Sequence, residues 1–401
     1  METAQAALLG TLGIAVAAAG YHHVAFPALL RRLARRSRAS HPAAPGRWPT
    51  ISIVMPAYRE ERHIERKLRA LRALPYVSAG VEVLVGCDGS PDGTEATARR
   101  VAAEGVGHPI AVHGFAANRG KVAVLNDLLP LCRGEIVVLT DVSAEVPLET
   151  LMRLARWFAD PRIGVVAAAY DLSPTAATPA EQSYWRWQRR NKRGEAALGA
   201  PMGAHGSLYA MRSVCVRPLP ADTINDDFLL PMAAVAAGWL AVYDDDLVAS
   251  EREPSPLGTD LRRRVRIGAG NLQQLLRLPA LLSPARPGVA LAFASGKALR
   301  ALMPFVLAIG AAALGGLAVT AGAIGDMARL AALGIAAAGG LMACRDAILP
   351  RAVARPVRLL RYALLGYAAS GWGALRYLAG SYDKGWRRGG PASVLPAPTA
   401  T

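Results

Sequence analysis

Apolar and charged residues are segregated along this chain, and that segregation limits what it can fold into. Residues 5–30 carry no charged residue and are largely apolar, Tyr21, His22 and His23 being the main polar interruption, and 299–323 and 328–348 are two further long, largely apolar runs. Each is long enough to span a bilayer core, which takes ~20 such residues. Charged residues make up 19% of the chain, below the ~25% usual for a soluble domain, and the deficit lies at the two ends. The pattern predicts a soluble domain framed by membrane segments.

The formal net charge of +16 is concentrated beside the apolar runs, in Arg31, Arg32, Arg35, Arg36 and Arg38 and again in Arg351, Arg355, Arg358 and Arg361. Cytoplasmic flanks of membrane helices carry such an excess. No basic stretch with interleaved aromatics marks a nucleic-acid surface, so no nucleic-acid partner is expected. Cys87, Cys132, Cys215 and Cys344 have no paired spacing, which argues against a disulfide framework or a zinc site.

These features divide the chain into an uncleaved membrane anchor (1–38), a Pro-containing linker (39–50), a cytosolic domain (51–255), interfacial amphipathic helices (256–298), a C-terminal transmembrane region (299–380) and a loose tail (381–401). The expected location is a multi-pass protein of the inner, cytoplasmic membrane, in contact with its lipids. The stretch Tyr362–Leu375 lies between arginines and is short for a span, leaving a re-entrant or interfacial helix open.

From Ile51 short apolar runs alternate with amphipathic ones. ISIVMPAY, VEVLVGCD and EIVVLTDV suit buried strands. ERHIERKLRALRAL carries Ile64, Leu68, Leu71 and Leu74 at helical spacing, and TEATARRVAAEG is a second helix. Such alternation predicts an α/β fold with a mostly parallel sheet and helices on both faces. Binding sites in such sheets gather at the carboxyl ends of the strands. Four polar clusters fall there: Pro56–Glu61, Asp88–Thr94, Asn118–Lys121 with Leu125–Asn126, and Thr140–Ser143. Each alone is compatible with an ordinary turn or a helix cap.

PAYREE, DGSPDGT and GKVAVLN in this order resemble the P-x-Y/N-x-E, D-G-S-x-D-G-T and G-K-x-x-x-L-N elements of inverting family 2 glycosyltransferases. The resemblance covers about residues 50–280 and points to the membrane branch that includes cellulose, chitin and hyaluronan synthases and ceramide glucosyltransferase. It implies a GT-A (Rossmann-like) nucleotide-sugar-binding domain flanked by transmembrane helices. It also implies roles. Asp88 would accept hydrogen bonds from the donor's base, in a pocket completed by Pro56, Tyr58 and Glu60. Lys121 would meet the diphosphate. Asp141 stands at the first position of the metal-binding D-x-D, where Mg²⁺ or Mn²⁺ would bridge carboxylate and diphosphate. The second acid is replaced by Ser143.

INDDFLLPMAAVAAG is similar to the family's acidic segment, with Asp226 in place of Glu. The resemblance makes Asp227 the general base, and either Asn225 or Asp226 could cap the helix that follows. GAHGSLYAMR resembles the floor of the acceptor site, so Gly203, His205 and Gly206 would line it, His205 by hydrogen bonding or packing. Trp185 would stack on a sugar or sit at the membrane interface. Arg263 and Arg266 match the first and fourth positions of the synthases' Q/R-x-x-R-W, with Ile267 replacing Trp, and would contact the donor.

The implied reaction moves a sugar from a nucleotide donor to a lipid-linked or extracellular glycan acceptor, with export or polymerisation partners. Two alternatives stay open. One is a polyprenyl-phosphate sugar synthase; the other is a non-catalytic membrane scaffold of the same fold, which the missing acid at Ser143 would suit.

Overall fold

The computed structural model describes residues 2–36, 44–77, 80–173, 179–251, 257–343 and 351–382. The tail from Asp383, Cys344, residues 39–43 of the linker and the end of the run 328–348 lie outside them. The chain divides into two compact units, one of residues 36–259 and one that joins Met1–Arg35 to Asp260–Tyr382.

The first unit is built on eight strands: β1 (Ile51–Ala57), β2 (Val81–Asp88), β3 (Ile110–Phe115), β4 (Ile136–Leu139), β5 (Ala144–Glu145), β6 (Ile163–Leu172), β7 (Tyr209–Arg212) and β8 (Leu240–Glu251). Their order in one sheet is β3-β2-β1-β4-β7-β6-β8-β5. β1 is buried along its whole length between its parallel neighbours β2 and β4. Strands covered on both faces read as continuous apolar runs, which is why β1, β2 and β4 stand out in the sequence. Ile51, Ile53 and Met55 are completely buried, and each such side chain contributes ~1.5–3 kcal/mol by leaving water. The helix Glu61–Arg72 closes one face with Ile64, Lys67, Leu68 and Leu71.

The mostly parallel sheet expected from the sequence is present with two reversed strands, β7 and β5, while β6 and β8 run in the same direction as β3, β2, β1 and β4. Beyond β4 the sheet is mixed: β7 runs antiparallel to both β4 and β6, β8 is parallel to β6, and β5 is antiparallel to β8. A short reversed strand such as β7 needs no crossover helix, so strand–helix alternation does not reveal it.

In the second unit the helix Glu2–Gly20 continues through a π turn (Tyr21–Ala25) into Phe26–Arg36. A second π turn, Ala294–Ala298, joins Pro287–Phe293 to Leu299–Ala318. The apolar helix thus begins twelve residues before the expected boundary at 299. The two π turns meet: Tyr21 Oη and Ser295 Oγ are 2.8 Å apart, and His22 Nδ1 lies 3.2 Å from the Ser295 carbonyl. Among the described residues two helices are long and apolar enough to cross a membrane, Glu2–Arg36 and Pro287–Ala318. Helix Ala323–Ala343 carries the Asp326–Arg329 ion pair and is not one of them. Tyr362–Leu375 lies inside a longer helix, Arg351–Leu378.

The helix Leu257–Arg277 exposes Arg262, Arg263 and Arg266 and buries Ala269 and Leu272. It packs backbone to backbone on the helix Arg351–Leu378, where a Cβ on Gly268 would meet the Ser370 carbonyl at 2.4 Å. Small residues allow that approach.

Candidate functional site

Three of the predicted clusters meet at the carboxyl ends of β1, β2 and β4. Asp88, the last residue of β2, is completely buried. Its Oδ1 accepts from the Arg119 amide (2.9 Å), and its Oδ2 accepts from the Gly120 amide (2.8 Å) and Asn118 Nδ2 (3.0 Å). In this arrangement Asp88 is buried and holds the 118–120 turn through both carboxylate oxygens. Gly89 at φ +59° lies so close to Ala117 that a Cβ would overlap its backbone. The Pro56–Glu60 loop is tied to the same region: the Arg59 amide donates to Ser90 Oγ (3.0 Å) and the Glu60 amide to Thr94 Oγ1 (2.8 Å). Arg59 adopts φ +56°, a left-handed conformation uncommon outside glycine.

The turn that Asp88 holds delivers Lys121. Gly120 (φ +92°) breaks the chain into the helix Lys121–Leu128, whose first residue is the lysine. Its Nζ stands 3.0 Å from Asp141 Oδ1 and 3.1 Å from Asp226 Oδ2. Burial works against the ammonium, but Asp141, Asp226 and Asp227 outweigh it and hold Lys121 firmly protonated. Burial likewise opposes the Asp141 carboxylate, yet Lys121 reverses the effect and draws its pKa below the usual range. Asp226 Oδ2 thus meets Lys121 as an ion pair without a hydrogen bond, and Asp226 does not occupy the cap of its helix. Asn225 occupies the cap position of Asp226–Ala236 without a side-chain capping bond.

Asp227, the next residue, is only partly buried, and its backbone carbonyl accepts from the Ala204 amide (3.0 Å). Beneath the carboxylates lies Tyr209, whose buried hydroxyl has no hydrogen-bond partner among the described residues. Burial first, then Asp226, Asp227 and Asp141, push its pKa well above normal. The glycines of the GAHGSLYAMR motif lie close against other side chains. A Cβ on Gly203 (φ +84°) would strike the Phe228 ring at 2.5 Å, and one on Gly206 would come within 2.8 Å of Asp141 Oδ2.

His205 stacks on Tyr170 with ring centroids 3.8 Å apart and planes 15° from parallel, and Trp185 stands edge-on to Tyr170 at 4.4 Å. His205 Nδ1 accepts from the Ser207 amide (3.2 Å). Ser143 Oγ donates to Glu251 Oε1 (3.0 Å), and Tyr170 Oη donates to Glu251 Oε2 (3.0 Å). Behind the loop, the buried Lys67 donates to Thr140 Oγ1 (2.8 Å) and the Ala144 carbonyl (2.5 Å). Tyr170, Tyr209, Glu251 and Lys67 escaped the sequence reading. Only Lys67 left a local signal, standing three residues after Ile64 on the apolar face.

Arg263 and Arg266 lie on the Leu257–Arg277 helix in the other unit, both exposed. Asp141 and Ser143 offer oxygen donors of the kind a hard divalent cation takes. Among the described residues no group of three or more His, Cys, Asp or Glu could hold a metal. The residues thus suit a cation whose remaining ligands come from a phosphate group.

Residues 52–215 match the family model described as Glycosyl transferase family 2. The beta-monoglucosyldiacylglycerol synthase of Trichormus variabilis is 29% identical over 140 residues, 35% of this chain and 29% of that protein. An undecaprenyl-phosphate 4-deoxy-4-formamido-L-arabinose transferase of Pseudomonas savastanoi is 26% identical over 184 residues, 45% of this chain and 52% of that one. The chain thus spans between about a third and a half of the length of these curated relatives. The mannosyltransferase PcManGT of Pyrobaculum calidifontis, solved with GDP-Man and Mn²⁺, superimposes with a TM-score of 0.68 at 24% identity, covering 93% of this chain and 100% of that structure. Strand order and structural likeness agree on a GT-A fold, and residues 52–215 are similar to the family 2 glycosyltransferases.

Proposed function

We propose that the chain is an inverting glycosyltransferase that moves a sugar from a nucleotide-sugar donor to a lipid-linked or extracellular-glycan acceptor at a membrane. The observation that carries this reading is Lys121 bracketed by Asp141 and Asp226, with Asp227 next to them. A permanently charged ammonium at the strand ends is a counter-charge for a diphosphate, and charge developing on the leaving group is what such a site must stabilise. Asp227 is partly exposed and next to the Asp226 that pairs with Lys121. It takes the proton of the attacking acceptor hydroxyl. Mg²⁺ or Mn²⁺ would be held by Asp141 and Ser143 and would supply Lewis-acid stabilisation of the leaving diphosphate. Tyr58 and Glu60 on the loop after β1 complete the donor side, and His205 with Trp185 the acceptor side.

Two apolar helices and the arginine-rich flank at 31–36 support a membrane-bound enzyme with its catalytic unit in the cytosol. The lipid named in the diacylglycerol synthase relative supports a lipid acceptor. A second reading, transfer to polyprenyl phosphate, is favoured by the undecaprenyl-phosphate transferases among the relatives. Purified protein in lipid nanodiscs, given Mn²⁺, a panel of radiolabelled nucleotide sugars and either diacylglycerol or polyprenyl phosphate, tests both. Label should pass into the organic phase, and mild acid should release it only from a sugar phosphodiester. No transfer, no donor hydrolysis and no nucleotide binding would establish a scaffold instead.

A further inference from the structure

We infer that Glu251 is a positioning residue of the metal loop, which returns through space the carboxylate that the D-x-D pattern lacks at Ser143. This rests on the nucleotide-sugar reading above.

The antiparallel pairing of β5 with β8 sets Ala144 opposite Glu251, so the end of β8 runs directly beside the Asp141–Ser143 loop. A hydroxyl has one proton to give, and Ser143 spends it on Glu251 Oε1 at 3.0 Å. Both lone pairs of Ser143 Oγ are then turned away from Glu251, and the hydroxyl oxygen is made a better donor by the anion behind it. Aspartate at 143 would place its charge on the loop itself; serine backed by Glu251 places it one hydrogen bond further out. The other oxygen, Oε2, accepts from Tyr170 Oη at 3.0 Å, and the Tyr170 ring stacks on His205. One carboxylate therefore ties the loop of Asp141 to the aromatic cluster of the acceptor floor. The buried ammonium of Lys67 holds the opposite side of the loop through Thr140 and Ala144 and lies within electrostatic reach of Glu251. The carboxylate is thus fixed at both oxygens, as a group that orients another must be.

The test is Mn²⁺ affinity, read from the free-ion electron paramagnetic resonance signal with full-length protein and saturating UDP or GDP. Glu251→Gln keeps size and should weaken Mn²⁺ binding about 10- to 100-fold, the usual effect of removing an outer partner of a ligand. Ser143→Asp alone sets two carboxylates against each other and should also weaken it. Ser143→Asp with Glu251→Gln moves the charge back onto the loop and should recover affinity to within about threefold of the natural protein. That recovery also shows that loss in the single variants is not misfolding. Unchanged affinity in Glu251→Gln, or a double variant no better than Glu251→Gln, overturns the assignment alone. Failure of the natural protein to bind Mn²⁺ in the presence of UDP and in the presence of GDP overturns the nucleotide-sugar reading and this inference together.

Discussion

Lys121 and Asp141 form an ion pair, Nζ to Oδ1 3.0 Å, at the position where the resemblance implies a metal-binding carboxylate. Without a donor, the Asp141 carboxylate is already paired with a lysine that it shares with Asp226. A divalent cation arriving alone meets a paired acid and the adjacent ammonium. One arriving on a diphosphate brings oxygens for which Lys121 can exchange its partner. Mn²⁺ should therefore bind weakly to nucleotide-free protein and at least ~10-fold more tightly with UDP or GDP present, and Asp141→Ala should remove that gain. Calorimetric titration with and without nucleotide checks it; equal affinity in the two titrations would contradict it.

The two acids that begin the helix Asp226–Ala236 should separate in their kinetics. Asp226 is bound to Lys121, whereas Asp227 is partly exposed beside it. Asp227→Asn should lower kcat by at least ~10²-fold with KM for the donor nearly unchanged, as removal of a general base does. Asp226→Asn removes the partner of a buried cation, so it should raise donor KM and lower the unfolding midpoint. If Asp227→Asn lost donor affinity in step with turnover, its role would be structural.

Strands β1, β2 and β4 were readable because they are buried on both faces and the motifs sit at their ends. What escaped reading has a common physical cause. Ser143 and Glu251 are far apart in sequence, and the contact arises only from the β5–β8 register. Strand β8 was hidden by its acidic run Asp244–Asp246, yet Asp244 is completely buried and accepts from Arg153 Nε (2.5 Å) and Trp157 Nε1 (2.7 Å). Lys67 falls on the same helical stripe as Ile64, Leu68 and Leu71, but a charged residue on an apolar stripe is readily assigned to solvent. Periodicity reports which face a residue occupies, not whether its charge has been satisfied there.

Lys67 gives a pH signature. Burial, its largest influence, lowers its pKa to about 7, with Asp141, Glu145 and Glu251 opposing that fall. In the unfolded chain a lysine titrates near ~10.4. Between these values the unfolded state binds more protons than the folded one, so this group makes stability rise with pH from about 7 to about 10. Lys67→Met should flatten that part of the stability curve. Urea unfolding midpoints across the interval measure it, and an unchanged slope in the variant would refute it.

Gly203 and Gly206 lie in one motif and should fail in different ways when replaced by alanine. At Gly203 the new Cβ meets the Phe228 ring at 2.5 Å, and φ is +84°, a conformation strained for any L side chain. Gly203→Ala should therefore destabilise the domain by roughly 1–3 kcal/mol, combining backbone strain with overpacking. At Gly206 φ is not in that region, and the nearest atom is Asp141 Oδ2 at 2.8 Å, with Lys121 Nζ at 3.5 Å. The methyl group can be accommodated only by moving a carboxylate that Lys121 holds in place. Gly206→Ala should leave the unfolding midpoint close to that of the natural protein while nucleotide-dependent Mn²⁺ affinity and turnover fall about 10-fold or more, since sub-ångström placement governs such sites. Thermal unfolding and Mn²⁺ titration of the two variants side by side separate the cases. A Gly206→Ala protein that keeps its metal affinity would mean that the Asp141 carboxylate adapts freely, and that its pairing with Lys121 does not set the geometry of the loop.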